Sequence, residues 1–114
     1  MHGNETTRQQ KIAKLIQRDM GEIFREEGRS HYHGVLISVT KVYVSRDLGL
    51  ARIFLSIFGK ENEKVFENIN ERTHEFRGRL GNLVRHQLRV VPNLEFQLDD
   101  SLDYLENIER LLKD

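Results

Sequence analysis

Five arginines and a single acid, Glu75, fall between residues 72 and 91. The stretch reads RTHEFRGRLGNLVRHQLRVVP from residue 72 to residue 92. The planar fork of an arginine can donate two parallel hydrogen bonds to one phosphate. A few such contacts give a salt-dependent, sequence-tolerant grip on a nucleic-acid backbone. Gly78-Arg79-Leu80-Gly81 offers a second route to the same chemistry. Glycines let backbone amides approach a phosphate closely, because no Cβ intervenes. Each idea has a plain counterpart. The arginines can be solvated surface, some paired with Glu71, Glu75 or the acidic tail, and Gly81 can simply let a neighbouring element come close. The pattern leaves these alternatives open.

Other residues with chemical potential form weaker constellations. His31 and His33 alternate, and His2, His74 and His86 lie elsewhere, but no carboxylate cluster adjoins them in sequence. An exposed loop is favoured over a metal site. Ser38, Ser45 and Ser56 sit in no nucleophile elbow, Asp47 reads as turn chemistry, and Asp99 and Asp100 read as a helix start. Without cysteine there is no disulfide, thiolate ligand or cysteine nucleophile. No phosphate-binding loop of the nucleotide type is present. No cofactor is therefore expected, and the chain reads as a binding protein rather than an enzyme. Lys41 and Arg46 extend the list of candidate cations, if the strand loops and the arginine helix meet at one edge.

These residues must be positioned by few elements. The chain has 114 residues and 38% hydrophobic content, enough for one core spanning residues 1–114. No apolar run approaches a membrane span, and the start lacks the apolar stretch of a signal peptide, so a soluble cytoplasmic protein is expected. Formal charge is zero, but residues 31–60 carry four cations against one acid, and residues 99–114 carry two against six. A basic face matters more for an anionic partner than the total.

Thr7 to Gln10 fits a capping box, and Ile12, Leu15, Ile16, Met20, Ile23 and Phe24 recur at helical spacing up to a C-cap at Gly28. This predicts a helix over 7–27. Residues 35–45 and 50–58 are rich in β-branched and aromatic residues and predict antiparallel strands joined at Asp47-Leu48-Gly49. Helical spacing returns over 61–76 and runs on to about Arg89, before Pro92. Residues 94–100 alternate as a third strand. A last helix of about 101–113 carries Leu102, Leu105, Ile108, Leu111 and Leu112. On a helix over 77–89, Phe76, Leu80, Leu83, Val84 and Leu88 share one side, and Arg79, Arg85 and Arg89 share the other. Arg77 at the edge of the apolar arc, and Gln87 within it, point to an irregular helix. The order α-β-β-α-α-β, plus the C-terminal helix, is an α+β arrangement of the type II KH kind, with a three-stranded sheet packed by helices.

Two segments then carry a family likeness. Val42 to Ser56, VYVSRDLGLARIFLS, resembles the V-x-V-S-x-D-L-x-x-A-x-V-x-V-S hairpin of ribosome-binding factor A. Leu88 to Asp99, LRVVPNLEFQLD, resembles that family's L-R-x-x-P-x-L-x-F-x-x-D segment. The resemblance implies a KH-like, non-enzymatic factor. Such a factor binds the free small (30S) ribosomal subunit and its rRNA, and supports late 16S rRNA maturation, including in the cold. A monomer is expected, with subunit proteins as further partners. The family's two KH helices meet at a kink marked by Ala-x-Gly, followed by an arginine that corresponds to Arg79. Here the Ala-x-Gly positions fall on His74-Glu75-Phe76, so this sequence departs from the motif. A kink near 73–77, aided by Gly78, is expected, with GRLG beyond it. Candidate RNA contacts are Arg79, Arg85 and Arg89, then Arg77, Lys41 and Arg46. Competing functions are a general single-stranded RNA-binding KH module using GRLG, and a protein-interaction or dimerisation domain using the last helix.

Overall fold

In the computed structural model, residues 5–99 are described; the expected C-terminal helix lies outside them. Helix α1 spans Thr7–Ser30, strand β1 Leu36–Val44, strand β2 Leu50–Phe58, helix α2 Asn62–Glu71, helix α3 Thr73–Val84 and strand β3 Asn93–Leu98. The expected α+β order α-β-β-α-α-β is thus observed. The sheet order is β1-β2-β3, with β1 and β2 antiparallel and β2 and β3 parallel. Helices α2 and α3 form the crossover between the parallel strands. Together with α1 they cover one face of the sheet, where Phe24, Phe76 and Phe96 meet at centroid distances of 4.8, 5.5 and 6.0 Å.

The start of α1 is one residue earlier than the sequence pattern placed it. Thr6, not Thr7, is the cap: its hydroxyl accepts from Gln9 N–H, and the Gln9 side chain accepts from Thr6 N–H. Gln9 also donates to the Val44 carbonyl at 2.9 Å, fixing α1 to the end of β1. Nor does Gly28 end the helix. The helix runs on to Ser30, and Gly28 is buried where α1 crosses the approach to β1; a Cβ there would lie 2.7 Å from the Val35 carbonyl oxygen.

A bulge between Val39 and Lys41 shifts the register of β1 against β2. Ile37 faces the core before it, and Val42 and Val44 after it. Strict alternation would have turned Lys41 and Tyr43 inward. At the hairpin, the left-handed conformation falls on Leu48 (φ 63°), not on the glycine beside it. The Asp47 carboxylate stabilises the turn by accepting from Gly49 N–H at 2.9 Å and from the Ser45 hydroxyl at 2.7 Å.

The junction of α2 and α3 is at Arg72 (φ −99°, ψ 17°), upstream of the expected 73–77. Gly78 does not assist it. Gly78 and Gly81 lie well inside α3, where backbone amides beyond the first turn serve the helix's own ladder. GRLG is therefore neither a kink nor an open phosphate loop. Helix α3 also stops at Val84 rather than near Arg89; beyond it the amides of Gln87 and Leu88 share the Val84 carbonyl and close a single turn. Leu83, expected on the apolar side, is half exposed.

Candidate nucleic-acid interface

The arginines of the 72–91 stretch divide into two groups with different work. Arg72 occupies the helix junction and donates to Glu27 at 2.6 Å, to Glu75 at 2.6 Å and to the Tyr32 hydroxyl at 2.9 Å. Its guanidinium also lies 4.7 Å from the centre of the Phe76 ring. Arg79 reaches the other oxygen of Glu27 at 2.5 Å, and Glu26 at 3.7 Å. Burial pushes the Glu27 carboxyl up, but hydrogen bonds from Arg72 and Arg79 outweigh it and hold the group below its ordinary range. Arg72 is pushed further up by its bonds to Glu75 and Glu27. Tyr32 joins this network through Asn68 as well, and burial raises its hydroxyl's pKa. This network ties α1 to the α2–α3 junction, and it is where the middle residue of the His-Tyr-His triplet belongs. His31 and His33 are exposed.

Arg77 is also committed to the frame. Its guanidinium donates to the carbonyls of Val91 at 2.6 Å and Pro92 at 3.0 Å, holding the α3–β3 loop against α3. Its place at the edge of the apolar arc was the sequence signal for this role. Arg79 and Arg77 are thus both engaged within the fold, and the single basic helix face predicted for Arg79, Arg85 and Arg89 does not form.

Arg85 caps α3, and Arg89 lies in the loop that follows. Both are exposed. The Asn93 amide donates to the Gly49 carbonyl at 2.9 Å, so that loop ends beside the β1–β2 turn. Arg46 is exposed on that turn. The start of α1 arrives at the same end, and Arg8 and Arg89 line one cleft with Asp47 and Leu48. Among the described residues, Arg8, Arg46, Arg85 and Arg89 have no ion pair or side-chain hydrogen bond. Sequence reasoning named three of these four and not Arg8, although its i,i+4 spacing from the core residue Ile12 places it on the edge of the buried face. Lys41 stands apart, on the sheet face that the described helices leave open, with its ammonium 5.7 Å from the Phe54 ring centre.

Residues 8–112 match the family model of ribosome-binding factor A. The chain belongs to the ribosome-binding factor A family. A relative of that name from Christiangramia forsetii is 44% identical over 114 residues, covering 96% of this chain and 85% of the relative. The crystal structure of ribosome-binding factor A from Thermus thermophilus superposes with a TM-score of 0.65 at 19% identity, covering 79% of this chain and 94% of that one. A homology model of the Thermus thermophilus factor, fitted into a cryo-EM map of a 30S complex, gives 0.63 at 21% identity, covering 77% and 91%. At such identities these two likenesses speak for the fold. Family membership rests on the sequence match, and it agrees with the hairpin and the LRVVPNLEF segment. Within this chain, Arg72 and its carboxylate partners hold the bend between α2 and α3.

Proposed function

We propose that the chain, acting as one domain over residues 1–114, is a non-catalytic, cytoplasmic assembly factor. It binds the free small ribosomal subunit and its rRNA as a monomer and supports late 16S rRNA maturation, including in the cold. The observation that carries this reading is that Arg8 and Arg89 line one cleft beside the turn carrying Arg46, with Arg85 opening the loop that holds Arg89, and that none of the four has an ion pair or side-chain hydrogen bond among the described residues. Family membership supplies the class of partner, since the relatives are named for ribosome binding and the fitted Thermus structure comes from a 30S complex. In this reading Arg85, Arg89 and Arg46 grip phosphates, Arg8 joins them, and Lys41 is an outlying contact. Arg77 and Arg79 act by holding the frame. The mechanism is positional: a rigid basic end fixes a local RNA conformation until maturation proceeds.

Sedimentation through a ribosome gradient tests it. The tagged protein should comigrate with free small subunits at low salt and dissociate as salt rises. Four phosphate contacts, from Arg8, Arg46, Arg85 and Arg89, give a slope of log affinity against log salt of about −3. Changing Arg46, Arg85 and Arg89 together to Glu should leave the protein at the top of the gradient, with an unchanged circular dichroism spectrum. Unmodified protein that stays at the top under gentle conditions would refute the reading.

A further inference from the structure

The basic end contains a cleft of about 320 Å³ between the start of α1, the β1–β2 turn and the α3–β3 loop. Its floor is apolar, from Ile12, Leu48 and Leu88, and its sides carry Arg8, Arg89 and Asp47. Pockets that hold small ligands begin at about 300 Å³. A site that merely gripped phosphates would need no apolar floor. On the rim, Val90 is 70% exposed, an apolar side chain left in water at the mouth of the cleft. An apolar floor with guanidiniums beside it suits a flat aromatic body joined to an anion.

Asp47 adds a selective element. Its Oδ1 is occupied by Gly49 N–H and the Ser45 hydroxyl, so the turn holds the carboxylate in place. Both of these hydrogen bonds fall on Oδ1 and not on Oδ2. The Gly49 amide, then the Ser45 hydroxyl, holds this carboxyl below its ordinary range, so it is an acceptor at neutral pH. An acceptor of this kind takes a hydrogen bond from an exocyclic amine, as a carboxylate does from cytosine N4.

We propose that this cleft takes one unstacked base of single-stranded RNA, with Arg8 and Arg89 on its flanking phosphates and Asp47 Oδ2 accepting from the base's exocyclic amine. The inference rests on the RNA-binding reading above and adds a base preference to it: cytosine, adenine and guanine carry such an amine, and uracil does not.

The test uses full-length protein and labelled seven-nucleotide RNAs, UUUUUUU and the same strand with a central C, A or G, followed by fluorescence anisotropy. The amine-bearing strands should bind about five- to tenfold tighter than the all-uracil strand, the effect of one charged hydrogen bond at a partly exposed site. Asp47→Asn keeps an oxygen for the turn but presents an amide donor to the base, so the preference should vanish or reverse toward uracil. Val90→Asp, at an exposed position, should weaken all four strands without changing the melting temperature. Equal affinity for all four strands in the unmodified protein overturns the cleft proposal, as does a preference that survives Asp47→Asn. So does the absence of any binding to these strands, and subunit comigration in the gradient would then show that the broader reading stands without it.

Discussion

Three glycines that lie within helices should respond to the same substitution with opposite signs. At Gly21 in α1 and Gly78 in α3, an added Cβ would have nothing within 4 Å, whereas at Gly28 that atom would sit 2.7 Å from the Val35 carbonyl oxygen and 3.9 Å from the Ile37 nitrogen. Alanine in an open helix interior is favoured over glycine by about 0.8–1.0 kcal/mol, mostly through lost freedom of the unfolded chain. For a domain of this size that raises the melting temperature by about 3–6 °C. At Gly28 the obstacle is backbone at the entry to β1, which cannot swing aside like a side chain. Overpacking there costs about 1–3 kcal/mol, more than the helix gains in its last turn, so Gly28→Ala should lower stability by about 1–2 kcal/mol. Urea and thermal unfolding followed by circular dichroism would read both effects. Gly78→Ala should also leave subunit binding intact. Destabilisation by Gly78→Ala would refute a continuous α3, and a loss of binding with the fold unchanged would return GRLG to the role of a phosphate clamp. A neutral Gly28→Ala would refute the close crossing of α1 over β1.

Arg72→Ala should cost about 2–3 kcal/mol in urea unfolding. It strands Glu27, whose side chain is 8% exposed, but leaves Arg79 beside it, so the loss falls below that of a fully buried broken pair. Arg72→Lys should recover only part of this, because an ammonium cannot span two carboxylates and a hydroxyl as the fork does. Glu27 is depressed in the folded state from an ordinary 4.5, so its contribution is complete above the unfolded value and is lost as pH falls below about 4.5 through the folded one. The urea midpoint should therefore decline in that window, less steeply in Glu27→Gln; an identical slope in the variant would contradict the assignment. Arg77→Ala removes two hydrogen bonds to loop carbonyls and should speed hydrogen exchange at the Asn93 amide, while Gly21 and its neighbours in α1 stay protected.

Periodicity located the elements because each buries one face, and that demand is written along the chain. The strands at 36–44 and 50–58 were legible for this reason, as was β3. The ends were less legible where a tertiary contact sets them. Glycine at 28 looks like a stop signal, yet its missing Cβ serves the passage of β1's approach, and the helix continues. The bulge at Thr40 was invisible as such, although Lys41 and Tyr43 in core register were its trace. The helix end at Val84 left one mark, Gln87 on an apolar arc. The parallel pairing of β3 with β2 could not be read locally, since it depends on how the crossover folds back.

The same logic explains why arginine density alone does not separate arginines that hold the frame from those left open. In sequence, Arg72, Arg77, Arg79, Arg85 and Arg89 form one group, and a phosphate surface accounts for all of them equally well. In the fold, the first three meet acceptors that come from far away: Glu27 on α1 and the carbonyls of the loop before β3. A buried carboxylate must be compensated, and Glu27 draws in two guanidiniums that would otherwise be free. Of this stretch, Arg85 and Arg89 lie beyond the reach of such acceptors. They are gathered by the Asn93–Gly49 hydrogen bond, which brings the α3–β3 loop to the hairpin turn. In the proposed interface Arg8, remote in sequence from the arginine-rich stretch, is included because it has no ion pair or side-chain hydrogen bond among the described residues and lines a cleft with Arg89.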